Sequence, residues 1–123
     1  MLKYNEAKGF YSFSRSVGGR SITVRIMTDH RAAAEKSLPV ISDKLDRIER
    51  GREKISKRIT EDMQSLPEYL TEDISSSLYI SALRAEIYRD GDIEIIFGIK
   101  SRLNFMPDFY YEAELHSDNS FEI

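Results

Sequence analysis

Few side chains in this sequence can do covalent chemistry. No cysteine is present, which removes thiolate nucleophiles, disulfide staples and Cys-ligated metal sites together. The two histidines, His30 and His116, belong to no HExxH pair and have no carboxylates at ligand spacing, so no metal centre is expected. Both read as exposed side chains at element ends, with nothing local to orient either ring. Ser75, Ser76 and Ser77 read as turn or cap chemistry, because no GxSxG elbow occurs. The glycines form one pair, Gly18-Gly19, and singles, with no phosphate loop or dinucleotide fingerprint. No catalytic, cofactor-binding or metal-ligating residue is therefore expected. A small hydrolase built on His116 and nearby glutamates ranks last among the functional readings.

Two charged arrays remain. Lys44, Arg47, Arg50, Lys54, Lys57 and Arg58 fall within about 140° of one helix circumference, a stripe that could grip nucleic-acid phosphates. Carboxylates are interleaved with it: Asp43, Asp46 and Glu53 lie four residues before Arg47, Arg50 and Lys57, and Glu61 and Asp62 follow Lys57 and Arg58. Such spacing stabilises an exposed helix by pairing. The second array is Glu86, Glu94, Glu112 and Glu114, expected to share a strand face with Tyr88, Tyr110 and Ile96. Carboxylates beside aromatic anchors suit a basic partner protein, although like charges on a sheet also discourage edge pairing.

These arrays need elements to position them. Tyr11 and Phe13, then Ile22, Val24 and Ile26, alternate with polar residues on either side of Gly18-Gly19, the pattern of a half-buried hairpin. A two-residue turn pairs Val17 with Arg20, Phe13 with Val24 and Tyr11 with Ile26, which keeps the apolar residues on one face. Leu38, Ile41, Leu45, Ile48, Ile55, Ile59, Met63 and Leu66 then recur at helical spacing. Asp29 or Ser37 is the expected N-cap, Pro39 favours a main helix beginning near Ser37 with a looser lead-in from Asp29, and Pro67 marks its far end. Gly51-Arg52 interrupts the apolar stripe, so a bend, break or exposed gap is expected there. Leu83, Ala85 and Ile87, then Ile93, Ile95, Phe97 and Ile99, flank the turn RDGD. A three-residue loop with a left-handed Gly91 pairs Ile87 with Ile93 and Ala85 with Ile95, whereas a two-residue loop would set charged against apolar positions. A last strand runs inward through Phe109, Tyr111, Ala113 and Leu115 after a loop near Pro107, and residues 121–123 add a short edge.

Hairpin, long helix and meander read as an α+β fold: a twisted antiparallel sheet of five to six strands, with the helix on one face and residues 1–123 as one domain. The segments YNEAKGFYSF and GGRSITVRI, the Ala-rich helix start RAAAEKSLPV and the strand-turn-strand IYRDGDIEIIF resemble a bacterial domain family of unknown function. The resemblance implies a fold and no chemistry. A helix over residues 38–64 would be roughly 40 Å long on a domain about 35 Å across. Its overhanging apolar surface around Ile55, Ile59 and Met63 leads us to expect a homodimer.

The charge is uneven. Residues 1–65 hold 14 basic and 9 acidic groups, net +5, and residues 66–123 hold 4 and 12, net −8. No apolar run long enough to span a membrane occurs, and the first ten residues lack a signal-peptide core, so a cytoplasmic protein is expected. The sequence thus reads as a non-enzymatic module that binds a basic protein through its acidic face, analogous to bacterial immunity proteins. The alternative is a nucleic-acid-binding accessory protein using the helix stripe.

Overall fold

Gly18 and Gly19 have φ values of +62° and +78°, and that pair of left-handed residues is what a two-residue turn needs to match the twist of its strands. The turn joins β2 (Phe10–Val17) to β3 (Arg20–Ile26), with Val17 opposite Arg20, Phe13 opposite Val24 and Tyr11 opposite Ile26, the register expected from the apolar pattern. The computed structural model describes residues 2–64, 75–102 and 109–123. Its remaining elements are β1 (Lys3–Asn5), the helix α1 (Arg31–Gln64), a single 3-10 turn (Ser75–Ser77), β4 (Leu78–Ile87), β5 (Ile93–Ser101), β6 (Tyr111–Leu115) and β7 (Phe121–Glu122). Between β4 and β5, Gly91 has a φ of +89°, and Ile87 faces Ile93 while Ala85 faces Ile95, as the three-residue loop requires.

Among the described residues the fold is α+β, one helix on a sheet, but the sheet has seven strands in sequential order and is mixed. β3 and β4 pair in parallel through Val24–Leu83, Arg25–Arg84 and Ile26–Ala85, which corrects the antiparallel expectation. A single helix crossing the sheet returns the chain to the end where β3 began, so the next neighbouring strand must run the same way. The additional strand is β1, which pairs with β2 through only three residues.

The helix continues through Gly51 without a break, and the interruption of its apolar stripe takes the form of an exposed gap at Arg52. It begins at Arg31, earlier than the main helix expected from Ser37, with Pro39 inside it. Ser37 is therefore no cap: it is buried and its hydroxyl donates to the Ala34 carbonyl at 2.7 Å. Pro39 removes a helical hydrogen bond, and burial of Ala34 and part of Leu38 against the core holds the first turns in place despite that loss. At 34 residues the helix is about 51 Å long. Gly51 is compatible with continuity because the Phe121 ring packs over it, 3.5 Å from where a Cβ would stand.

Ile41, Leu45, Ile48, Ile55 and Ile59 of α1 are buried with Val24, Ile26, Leu83, Ala85, Ile95, Phe97, Ala113 and Leu115 from the sheet in one core cluster. Each large side chain so buried contributes about 1.5–3 kcal/mol. Because Ile55 and Ile59 are covered within the chain, they supply no exposed apolar overhang for the expected homodimer. The side chain of Met63, together with Leu66, Pro67 and Pro107, lies outside the described residues. Among the described residues, no helix is long and apolar enough to cross a membrane.

Candidate functional site

The face of the sheet away from α1 is built by register. Glu86 stands opposite Glu94 across β4 and β5; Glu114 stands opposite Ile96 and Glu112 opposite Gly98 across β5 and β6; Glu122 stands opposite Glu114 across β6 and β7. All four glutamates expected to cluster do share one face, and Glu122, which the sequence reading passed over, joins them. Arg84 lies on the same face and its Nε donates to Glu86 Oε1 at 2.9 Å. The Tyr88 hydroxyl donates to Glu94 Oε1 at 2.9 Å, and the Tyr110 hydroxyl to Glu112 Oε2 at 3.4 Å. Both tyrosines are about half exposed. Tyr110 can lie flat on the strand because its ring covers Gly98, where a Cβ would sit 2.6 Å from the Tyr110 hydroxyl.

His116 is the larger departure from expectation. One residue beyond β6, it remains on the outer face, and the register brings it beside the start of β5. Its Nδ1 is 2.7 Å from Glu94 Oε2 and 3.8 Å from Glu114 Oε2, and its Nε2 is 3.4 Å from Glu122 Oε1. The hydrogen bond to Glu94 is the main reason the imidazole pKa lies above its ordinary value, with Glu122 adding to it against the opposing effect of burial. Reciprocally, His116 and then Tyr88 hold the Glu94 carboxyl below the usual range, while its bond to Glu94 raises the Tyr88 phenol. The ring is thus oriented and perturbed, contrary to the reading of a free loop-end histidine. His30 is exposed, as expected, with its Nε2 3.4 Å from Asp29 Oδ1.

Glu94, Glu114 and His116 offer ligand atoms within 4.8 Å of one another. Two carboxylate oxygens and one imidazole nitrogen form a donor set compatible with a borderline divalent cation. Glu114 and His116 are neighbours at the end of β6, but Glu94 comes from β5 and joins them only through the strand pairing. Within the chain, the imidazole instead serves as the cation of the group when protonated.

The basic stripe is less uniform than the sequence suggested. Lys44 is buried, which removes it from the solvent face. Its Nζ donates to the His116 carbonyl at 3.0 Å, the Ser117 carbonyl at 3.3 Å and Asn119 Oδ1 at 3.0 Å, tying α1 to the turn between β6 and β7. Burial pushes its pKa down. Arg47 pairs with Asp43 and Arg58 with Asp62, as the spacing predicts. Asp46 pairs with Arg15 of β2 instead of Arg50. Among the described residues, Arg50, Lys54 and Lys57 have no carboxylate within 4.0 Å.

Comparison with protein-family models, with curated proteins and with solved structures yields no match in any of the three. The resemblance to a bacterial domain family therefore rests on the quoted sequence segments alone.

Proposed function

We propose that this chain is a cytoplasmic, non-enzymatic binding module whose acidic outer sheet face receives a basic partner protein. The observation that carries the reading is the juxtaposition of Glu86, Glu94, Glu112, Glu114 and Glu122 on one face of four strands, with Arg84 and His116 as local cations and Tyr88 and Tyr110 half exposed among them. Like charges at this density repel one another, and a basic surface relieves that repulsion while exposed tyrosines give it aromatic contact area. Neutralising a toxin, as immunity proteins do, is one form such binding takes, by analogy only. The nucleic-acid alternative loses support where Lys44 is spent inside the fold and Arg47 and Arg58 bind carboxylates of their own helix.

The test is affinity capture from a lysate of the source cells, comparing wild type with a Glu86, Glu94, Glu112 and Glu114 to Gln variant whose fold is verified by its melting curve. Recovery of a basic protein by wild type, its loss with the Gln variant and its weakening by salt are expected. Equal recovery by the variant, no protein recovered, or loss only when Arg47, Arg50 and Lys54 are reversed to Glu overturns the proposal, the last in favour of the helix stripe.

A further inference from the structure

Arg52 sits in the middle of the apolar stripe of α1, where a core residue would be expected, and the structure explains why. Beneath that point of the helix lies a cavity of about 500 Å³, bounded by the β2–β3 turn, the start of β4 and the end of β5. It is at the opposite end of β4 and β5 from His116. Val17, Ile55, Ile80 and Ile99 give it an apolar floor, while among the described residues Arg20, Arg52, Lys57 and Arg102 line it against a single carboxylate, Glu53. This net of three positive charges stands in a chain whose overall charge is −3.

Among the described residues, little neutralises these cations. Arg52 pairs with Glu49 at 3.3 Å. Among the described residues, Arg20, Lys57 and Arg102 have no carboxylate within 4.0 Å. Arg20 and Arg102 instead share the Tyr79 ring, their guanidinium carbons 4.3 and 5.4 Å from its centroid. Arg20, Lys57 and Arg102 all line the same cavity, where a bound anion would offset their charge. Guanidinium forks match phosphoryl oxygens in bidentate fashion and a lysine adds a point charge. Pockets of roughly 300–1,000 Å³ with an apolar lining and a few convergent polar groups suit small organic ligands.

We propose that this cavity binds a small organic phosphate, its phosphoryl group held by Arg20, Lys57 and Arg102 and its apolar body seated on Val17, Ile55, Ile80 and Ile99. The site is separate from the acidic face and does not depend on it. Titration calorimetry of the purified chain at fixed ionic strength, with phenyl phosphate, naphthyl phosphate, ADP, inorganic phosphate and benzyl alcohol as probes, tests it. At least one organic phosphate is expected to saturate the protein, with affinity about tenfold or more above that of inorganic phosphate, and benzyl alcohol is expected not to bind. The exposed-site variant Lys57→Gln/Arg102→Gln should weaken that binding by at least about tenfold, while Arg47→Gln, remote from the cavity, leaves it unchanged. Absence of saturable binding by every organic phosphate overturns the proposal, as does affinity unaltered by Lys57→Gln/Arg102→Gln. Equal binding of inorganic phosphate overturns the assignment of an organic ligand.

Discussion

Replacing Lys44 with Met keeps the length and burial of the side chain but removes the ammonium that ties α1 to the turn carrying His116. The ammonium makes three hydrogen bonds, to two carbonyls and the Asn119 side chain. A hydrogen bond to a charged group contributes about 1.5–3 kcal/mol, and an acceptor left buried without a donor costs about 1–3 kcal/mol. Desolvation, followed by the nearby Arg47 charge, holds the Lys44 pKa down against the attraction of Asp43, Asp118 and Glu94, so the net loss is smaller than three such bonds would sum to. We expect about 2–4 kcal/mol, a large fraction of the roughly 5–15 kcal/mol that holds a domain together. For a chain of this size that lowers the melting temperature by on the order of 10 °C, measurable by thermal and urea denaturation. The freed turn should also release His116 from Glu94, so that an NMR titration of the imidazole in Lys44→Met gives a lower pKa than in wild type. A variant within about 0.5 kcal/mol of wild type, the range of unremarkable surface changes, with an unaltered His116 titration, would refute this role for Lys44.

Other outcomes follow from the same geometry. Because the fold raises the His116 pKa above its ordinary 6.5 and depresses that of Glu94 below its ordinary 4.5, the stability their contact supplies is fully present between about pH 4.5 and 6.5. It fades as pH rises through the raised histidine value or falls through the depressed glutamate value, and melting curves of wild type against His116→Gln should converge outside that window. Deprotonation of His116 also makes the face more negative, so association with a basic partner should quicken as pH passes above the histidine's raised value, as stopped-flow rates will show. Gly98→Ala places a methyl group where the Tyr110 ring lies. The half-exposed ring can swing away, so stability should fall by about 1 kcal/mol or less while partner affinity, read by calorimetry, drops. Gly18→Ala is costlier, because φ is +62° and the Arg52 guanidinium is 2.9 Å from the new Cβ; a loss of about 1–3 kcal/mol is expected in urea melts.

The two hairpin registers were legible because turn chemistry and alternation are local signals: Gly18-Gly19 and Gly91 set the loops, and the apolar residues admit one register for each. The helix start was misread because Pro39 is a strong local signal that the burial of Ala34 and Leu38 overrides. Lys44 lies about 20° beyond the edge of the apolar stripe at 100° per residue, close enough that its neighbours decide its burial. The acidic face was legible as a set of outward positions. The place of His116 was legible only in part: Glu114 lies two residues before it on the same strand face, but Glu94 and Glu122 come to it from β5 and β7 through pairings that no local pattern specifies. Likewise Arg52 could be recognised as a fault in the stripe, but the cavity beneath it exists only once the start of β4 and the end of β5 are brought to that part of α1.

The claim that the outer face of β4 to β7 is the functional surface is tested most directly by the association rate of the captured partner as a function of ionic strength. For wild type that rate should be high and fall steeply with added salt, because five glutamates on one face draw in a basic surface over a distance that salt shortens. For the Glu86, Glu94, Glu112 and Glu114 to Gln variant it should be slower and nearly independent of salt. Equal rates with equal salt dependence for the two proteins would contradict the account.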